Sequence, residues 1–504
     1  MVNVLLFTEA KFLCGLYTRP QGAYRIATEI RNAGYTCQVI DFASEFSITE
    51  LLLIVDKYIN KDTLAICFSN TFFTSLKVDS VVNRSVKYTE DIYMTRDYII
   101  KVCLRYAKLK NPTLKVIIGG AKSYDIDIKK HPEIDVICLG YADEIIIDVL
   151  KKIENEKDTK ATNQLIVNGY PKTAFRSFDF RKSKTRYEES DFLDYGKESL
   201  TLEVSRGCKF NCKFCAFPMN GRRGSFLQYT KDADTLYEEI MENYNTYGVT
   251  SYFLCDDTFN ESEEKLDYIG NIFNRLPFDL KFGAWTRHDL IYHHRDMAHK
   301  LLDMGLVVGM FGIETFSDSA AKIIGKGLGA NKTKELLHWL KHDVWKKDIN
   351  TYSGFIIGLP TESPIEARKN ITDYFLSNDC NLDSFITLPL EVLHKDNQLS
   401  TEFNRISEFE RSAEKYGFVI NKNSYLDWSH ADYTFKDAFE ISDYLNKFAN
   451  SISNLSGMVL IGLLGYGYDL DYLLSFKHYR FHETFVSTNV LFDKTQKYKN
   501  KILQ

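Results

Sequence analysis

No stretch of the 504-residue chain is apolar for long enough to span a bilayer. The longest apolar run near the C-terminus, Met458 to Leu464, is far short of the roughly 20 residues that a spanning helix needs. The chain enters a strand-like run at once, without the basic, apolar and cleavage-site succession of a secretory leader. Positive charge is not in excess: 63 Lys and Arg face 68 Asp and Glu, a net charge of −5 with a pI near 6.2. A global basic field that gathers nucleic acid is therefore excluded, although a local basic groove is not. There is no internal repeat, no low-complexity tract, and no histidine before His131. Most cysteines stand singly, at Cys14, Cys37, Cys67, Cys103, Cys138, Cys255 and Cys380. Such scattered thiols read as buried and unpaired, which points to a reducing compartment, the cytoplasm.

What is present is the balance of a globular protein, 44% hydrophobic and 26% charged, in a chain long enough for several domains. Residues 1–150 alternate continuous apolar runs with helical periods. Val2–Phe7, Cys37–Ile40, Leu64–Phe68, Lys115–Ile118 and Asp135–Leu139 read as strands, and 22–33, 48–59 and 97–109 as helices. Apolarity that does not alternate implies strands covered on both faces, hence an α/β domain with a doubly wound parallel sheet of Rossmann type. Ligands of such sheets lie at the carboxyl ends of the strands. Thr8-Glu9, Ser69-Asn70, Gly119-Gly120 and Gly140-Tyr141 to Glu144 fall there. Gly119 and Gly120 would let a ligand approach the backbone, or would merely make a tight turn. Residues 71–95 form a long polar and aromatic insertion, long enough to be a lid or ligand wall.

Residues 151–197 read as a charged connector with a short strand near Leu165. A second alternation fills 198–390, with strands at Leu200–Val204, Ser251–Cys255, Lys281–Trp285, Leu306–Ile313, Tyr352–Ile357 and Ser384–Leu388. Helices read over 231–247, 261–275, 295–304, 331–342 and 364–378, the first with Thr230 as its expected N-cap. Six such units predict a partial (β/α)6 barrel, whose active site belongs at the carboxyl ends of the strands. Residues 391–504 read as an α-rich C-terminal domain without a chemical motif, its aromatic residues either closing the barrel mouth or packing helices.

The strongest local signal is Ser205-Arg-Gly-Cys208-Lys-Phe-Asn-Cys212-Lys-Phe214-Cys215, just after the first barrel strand. Three thiols at spacings of four and three can face one soft metal centre. A structural zinc site closes with four ligands and a four-iron cluster is held by four cysteines. Three local thiols leave one metal position open, unless Cys255 or a distant histidine completes a closed zinc site. The basic pair Arg222-Arg223 follows the loop, either to meet an anionic substrate or as a solvated turn.

This loop resembles that of the radical S-adenosylmethionine (SAM) superfamily, Cys-x3-Cys-x-aromatic-Cys, with Phe214 as the aromatic. The resemblance implies that Cys208, Cys212 and Cys215 hold a 4Fe-4S cluster whose fourth iron binds SAM. It also suggests cofactor-binding roles at successive strand ends. Asp256 and Asp257 suit SAM's ammonium group, although Asp257 would also serve as a helix N-cap. Arg287 offers a guanidinium to a carboxylate. Glu314, followed by Gly325-Lys326-Gly327, resembles a ribose-binding glutamate. Gly354, Ile356 and Gly358 fit a Gly-x-Ile-x-Gly strand against which adenine lies flat.

The order of elements in 1–150 resembles the cobalamin-binding domain of one branch of that superfamily, with Gly119-Gly120 after the fourth strand. Two features depart from it: Gly140-Tyr141-Ala142 replaces the usual Gly-Glu-Gly, and the Asp-x-His-x-x-Gly loop that ligates cobalt is absent. The expected function is reductive cleavage of SAM to a 5′-deoxyadenosyl radical, leading to cobalamin-dependent methylation of an unactivated carbon. The alternatives are cobalamin-independent rearrangement, oxidation or ring formation, a non-catalytic SAM or cobalamin sensor, and a zinc-stabilised nucleic-acid binder. The implied partner is a reductant such as flavodoxin or ferredoxin; the substrate is unspecified.

Overall fold

Short apolar runs form the strands of two parallel sheets. In the computed structural model the described residues are 2–9, 19–69, 101–120, 132–155, 165–168, 179–192, 198–215, 224–392, 407–421, 426–452, 460, 468–469, 471–472 and 495–504. The insertion at 71–95, Arg222 and Arg223 lie outside them. The chain divides into two compact units, one of 1–179, 183–195 and 490–504, the other of 180–182 and 196–489.

In the first unit, β1 (Val4–Phe7), β2 (Cys37–Ile40), β3 (Ala65–Ser69), β4 (Lys115–Gly119), β5 (Val136–Leu139) and β6 (Leu165–Asn168) pair in parallel, in the order β2-β1-β3-β4-β5-β6. The α1 (Gln21–Asn32), α2 (Ile48–Tyr58) and α3 (Ile146–Asn155) helices bury their apolar stripes. Ser47 and Glu50 start α2 with a reciprocal capping box. The short strand of the connector is β6, the edge strand, which pairs with β5 from Val136↔Leu165 to Leu139↔Asn168.

A helix over 495–503 also belongs to this unit. Tyr498 is buried with its ring edge-on to Phe42 and Phe46, and its hydroxyl accepts from the Asp41 backbone N–H at 2.9 Å. Lys499 donates to the Glu45 carbonyl and pairs with Glu50, while the Ile502 carbonyl accepts from Lys57 and Tyr58.

In the second unit the sheet runs in chain order: β7 (Leu200–Leu202), β8 (Ser251–Leu254), β9 (Lys281–Thr286), β10 (Leu306–Glu314), β11 (Asn350–Ile357) and β12 (Ser384–Pro389). All neighbours are parallel, as in an open (β/α)6 barrel. The intervening helices are α4 (Ala233–Tyr247), α5 (Glu263–Phe273), α6 (His288–His293), α7 (Asp296–Asp303), α8 (Asp318–Ile324), α9 (Ala330–Trp339) and α10 (Pro364–Leu376). Thr230 does not cap α4: Asp232 occupies that position, and Thr230 instead bridges Ser205 in an isolated antiparallel pair. The α9 helix ends sooner than its apolar period suggests, because the chain widens into a π turn at Leu340–Val344. That turn delivers Trp345 under the sheet, stacked on Phe311 at 5.7 Å.

Beyond β12 the C-terminal part is not wholly helical. α11 (Glu408–Arg411) precedes a small antiparallel sheet of β13 (Phe418–Ile420), β14 (Trp428–His430) and β15 (Tyr433–Thr434). α12 (Phe435–Ile452) then packs on β12, with Asn446 and Ser442 bonded to the backbone and hydroxyl of Thr387. No helix among the described residues is long and apolar enough to cross a membrane.

Replacing Tyr498 with Phe removes the partner of a buried N–H at the end of β2. We expect a loss of about 1–3 kcal/mol, read as a lower denaturation midpoint of the first unit at unchanged slope.

Candidate cofactor site

Strand register divides the second sheet into a packed face and an open one. Tyr252, Leu254, Phe282, Ala284, Phe311, Phe355 and Ile357 are buried. Their period-two alternates Phe253, Trp285, Gly312, Glu314, Gly354, Ile356 and Ile386 are only half-buried. The alternates are aligned across strands: Trp285↔Met310↔Tyr352 forms one row and Gly312↔Gly354↔Ile386 the next toward the carboxyl ends. Among the described residues no heavy atom lies within 4 Å of where a Cβ on Gly354 would stand, so the second row is open at that position.

The cysteine loop starts at the carboxyl end of β7 and is held from several sides. Asp256 Oδ1 accepts the Val204 and Ser205 backbone N–H groups at 2.8 and 3.0 Å, and its other oxygen accepts from the Ser205 hydroxyl. Lys265, fully buried, pairs with that carboxylate at 3.4 Å and donates to the Ser205 hydroxyl and the Thr258 carbonyl. At mid-loop, Lys213 donates its N–H to the Ile324 carbonyl, and its own carbonyl accepts from Phe409 of α11. The Lys213 ammonium donates to the Tyr416 hydroxyl at 3.0 Å.

Cys208 is buried and Cys212, Phe214 and Cys215 are half-buried. The Cys208 sulfur lies 3.4 Å from both the Phe210 N–H and the Thr258 hydroxyl. Burial pushes its thiol up, against those two contacts. Arg287 Nη1 donates to the Cys212 sulfur at 3.3 Å. Among the described residues no three His, Cys, Asp or Glu side chains gather closely enough to hold one metal ion. A cluster asks for a wider triangle, because each thiolate bonds its own iron. A donor set of three thiols on one clamped loop fits such a group.

The other expected residues separate into two groups. Glu314, Gly354 and Ile356 lie on the open face. Glu314 ends β10 at φ +70°, a left-handed backbone unusual for a side-chain-bearing residue, and pairs with Lys326 at 3.2 Å. Lys326 also donates to the Gly312 carbonyl at 2.8 Å, which ties the residue after α8 to the end of β10. Asp257 is half-buried and does not cap a helix, since Ser262 caps α5.

Three residues are committed elsewhere. Asp256 is spent on the β7 end and Lys265. Arg287 already has its carboxylate in Asp289, at 3.0 and 2.5 Å. Gly358, at φ +94°, is covered by the C-terminal part: a Cβ there would stand 2.7 Å from Trp428 and 3.0 Å from Ala438. That glycine answers a packing constraint. Thr315 and Glu362, which sequence reasoning passed over, join the loops after β10 and β11 through a 2.5 Å hydrogen bond, with Asn370 on the other carboxylate oxygen. Burial raises the Glu362 carboxyl despite those bonds.

Comparison with known proteins bears on this geometry. Residues 202–373 match the sequence model of the Radical SAM superfamily. The chain carries a radical SAM domain. It is 22% identical over 246 residues to an anaerobic magnesium-protoporphyrin IX monomethyl ester cyclase of Synechocystis, covering 46% of this chain and 48% of that protein. It is 23% identical over 290 residues to an uncharacterised methyltransferase of Pyrococcus horikoshii, covering 53% and 59%. The chain thus spans about half the length of the curated relatives it matches. In fold it is similar to the radical SAM methyltransferase TsrM of Kitasatospora setae with tryptophan and a SAM analogue, at TM-score 0.55 and 13% identity over 77% of this chain and 74% of that one.

In the first unit the strand order reverses between β1 and β3, where ligands of such sheets bind. Thr8, which follows β1, is fully buried, and its hydroxyl has no hydrogen-bond partner among the described residues. Gly119 has a packing reason of its own, since a Cβ would stand 3.3 Å from Cys138, whereas Gly120 adopts φ +112°.

Two outcomes follow for the radical SAM domain. Lys265→Ala strands a buried Asp256 charge and should cost about 3–5 kcal/mol in denaturant. His288 is buried with neither ring nitrogen bonded among the described residues, and burial pushes its imidazole down to about 3. Above the ordinary value of 6.5 the ring is neutral in both states and contributes no pH dependence. Below it the unfolded chain takes the proton first, so stability falls between pH 6.5 and about 3. The slope is up to about 1.4 kcal/mol per pH unit. A His288→Phe variant should lose that part of the slope in parallel urea titrations.

Proposed function

We propose that the chain is a radical SAM enzyme that binds a 4Fe-4S cluster through Cys208, Cys212 and Cys215 and transfers a methyl group to an unactivated carbon with the help of cobalamin. The observation that carries this reading is the clamped three-thiol loop at the head of a sheet whose open face is lined by Glu314, Gly354 and Ile356. When bound, the cluster and SAM would supply one-electron reductive cleavage to methionine and a 5′-deoxyadenosyl radical, and cobalamin a transferable methyl group.

The chain's own residues do the binding and shielding. Cys208, Cys212 and Cys215 leave one iron without a protein ligand, open to SAM's amino and carboxylate groups. Asp257 would take the ammonium group. Glu314, oriented by Lys326, would accept hydrogen bonds from ribose hydroxyls. Gly354 and Ile356 give adenine a flat, apolar seat, and Trp285 and Tyr352, edge to face at 6.2 Å, form a floor that keeps water from the reacting carbon. A flavodoxin- or ferredoxin-type reductant would supply the electron.

For cobalamin, the orphaned Thr8 hydroxyl at the switch point and the left-handed Gly120 fit a ligand lying across the strand ends. No histidine precedes His131, so the loop after β1 would offer cobalt no imidazole. TsrM, whose fold this chain shares, has been solved with cobalamin and a 4Fe-4S cluster bound, which supports the reading. The likeness to the ester cyclase supports a second one, radical ring formation.

Anaerobic reconstitution should yield about four irons and four sulfides per chain, counted chemically and seen by electron resonance. Alanine at Cys208, Cys212 or Cys215 should abolish the cluster and alanine at Cys380 should not. With dithionite and SAM the protein should release 5′-deoxyadenosine. Glu314→Gln should bind SAM about ten- to a hundredfold more weakly with the cluster intact. Titration with hydroxocobalamin followed by gel filtration tests the first unit: a coloured protein fraction is expected, and a colourless one at micromolar concentration removes methyl transfer.

A further inference from the structure

We propose that Arg287 and Asp289 form a built-in cationic hydrogen-bond donor to the Cys212 thiolate, which raises the reduction potential of the cluster; this rests on the cluster reading above. Arg287 lies at the end of β9, almost wholly buried, and its guanidinium is engaged on every side. Nε and Nη2 form a two-pronged bond to Asp289, which fixes the plane of the fork. Phe210, two residues before Cys212, stacks under it with the guanidinium carbon 4.0 Å from the ring centroid. The backbone is gripped as well: Asn260 accepts the Arg287 N–H at 2.7 Å and donates to its carbonyl at 3.0 Å. What remains is Nη1, which points at the Cys212 sulfur at 3.3 Å.

An ion pair serving stability alone would be complete with Asp289. The third prong turns the positive end of that pair, as a charge-assisted donor, toward one thiolate, while the contacts of Cys208, an amide and a hydroxyl, are neutral. One-electron reduction adds negative charge to the cluster and its sulfurs. A donor that draws charge from a ligating sulfur stabilises the reduced form, more so in a dry site. Arg287 is therefore a positioning residue that acts through Cys212, and its carboxylate partner is Asp289, so SAM's carboxylate is left to the open iron.

The test is an electron-resonance redox titration of the reconstituted full chain, without SAM or substrate, for the wild type, Arg287→Gln, Arg287→Lys and Asp289→Asn. Iron is counted in each. We expect the cluster-bearing Arg287 variants to titrate at more negative potential. The reduced-to-oxidised ratio at fixed poise should fall about tenfold in Arg287→Gln, equal to ~59 mV for a one-electron couple. Lysine should recover part of the shift, whereas Asp289→Asn, which removes the neutralising carboxylate and leaves the guanidinium, should titrate at less negative potential than the wild type. An unchanged midpoint in every cluster-bearing variant overturns the inference and leaves the cluster assignment standing. So does weakened SAM binding at unchanged midpoint, which would return Arg287 to the cofactor's carboxylate. A wild-type chain without a four-iron cluster overturns both.

Discussion

Asp256 and Lys265 join the ends of β7 and β8 through a fully buried ion pair, and both neighbouring loops hang from it. One carboxylate accepts two backbone N–H groups and a hydroxyl, and the ammonium that balances its charge reaches the Thr258 carbonyl. Cys208 lies three residues beyond the first loop's anchor, and Thr258 touches its sulfur. A buried pair of this kind adds little net stability over an apolar pair of equal size. Its effect is geometric: every donor and acceptor is matched in one arrangement, so the cysteine loop starts from a defined point.

The rest of the barrel follows from a difference between its two faces. Helices cover one face with large side chains, as in the stack of Phe311 on Trp345. On the other, Gly354 omits a side chain that would fill it, and its neighbour Gly312 makes room for the Glu314–Lys326 pair, which a Cβ there would meet at 2.5 and 2.9 Å. Glu314 sits at the rim of that gap with a strained backbone, tied down by Lys326, while Thr315 and Glu362 lock the next turn. Strain of that sort costs roughly 1–3 kcal/mol and persists where surrounding contacts over-determine it.

The C-terminal part supports the same site from outside the barrel. Phe409 bonds the carbonyl of Lys213 between two of the cysteines, Tyr416 receives its ammonium, and Trp428 covers Gly358. α11 and the turn that follows it thus frame the cysteine loop, while β14 of the small sheet covers the end of β11.

Local pattern by itself determined the strands, the helix periods, the cysteine spacing and hence both parallel sheets. Continuous apolar runs flanked by turns have few other ways to be buried, and three thiols within eight residues carry their chemistry with them. The strand positions of Glu314, Gly354 and Ile356 followed from the same pattern. Only the tertiary structure decided which polar groups were already taken. Asp256 and Asp257 are adjacent and alike in sequence, yet one is consumed by an ion pair nine residues away and the other is only half-buried. Arg287 needs Asp289 and Cys212, 75 residues apart from it in the latter case, before its role can be read. Tyr498 completes the first unit from 457 residues beyond Asp41. Hydrogen bonds and charges are saturable and depend on distance, so their partners are chosen by the fold, whereas apolar burial depends on pattern and is written along the chain.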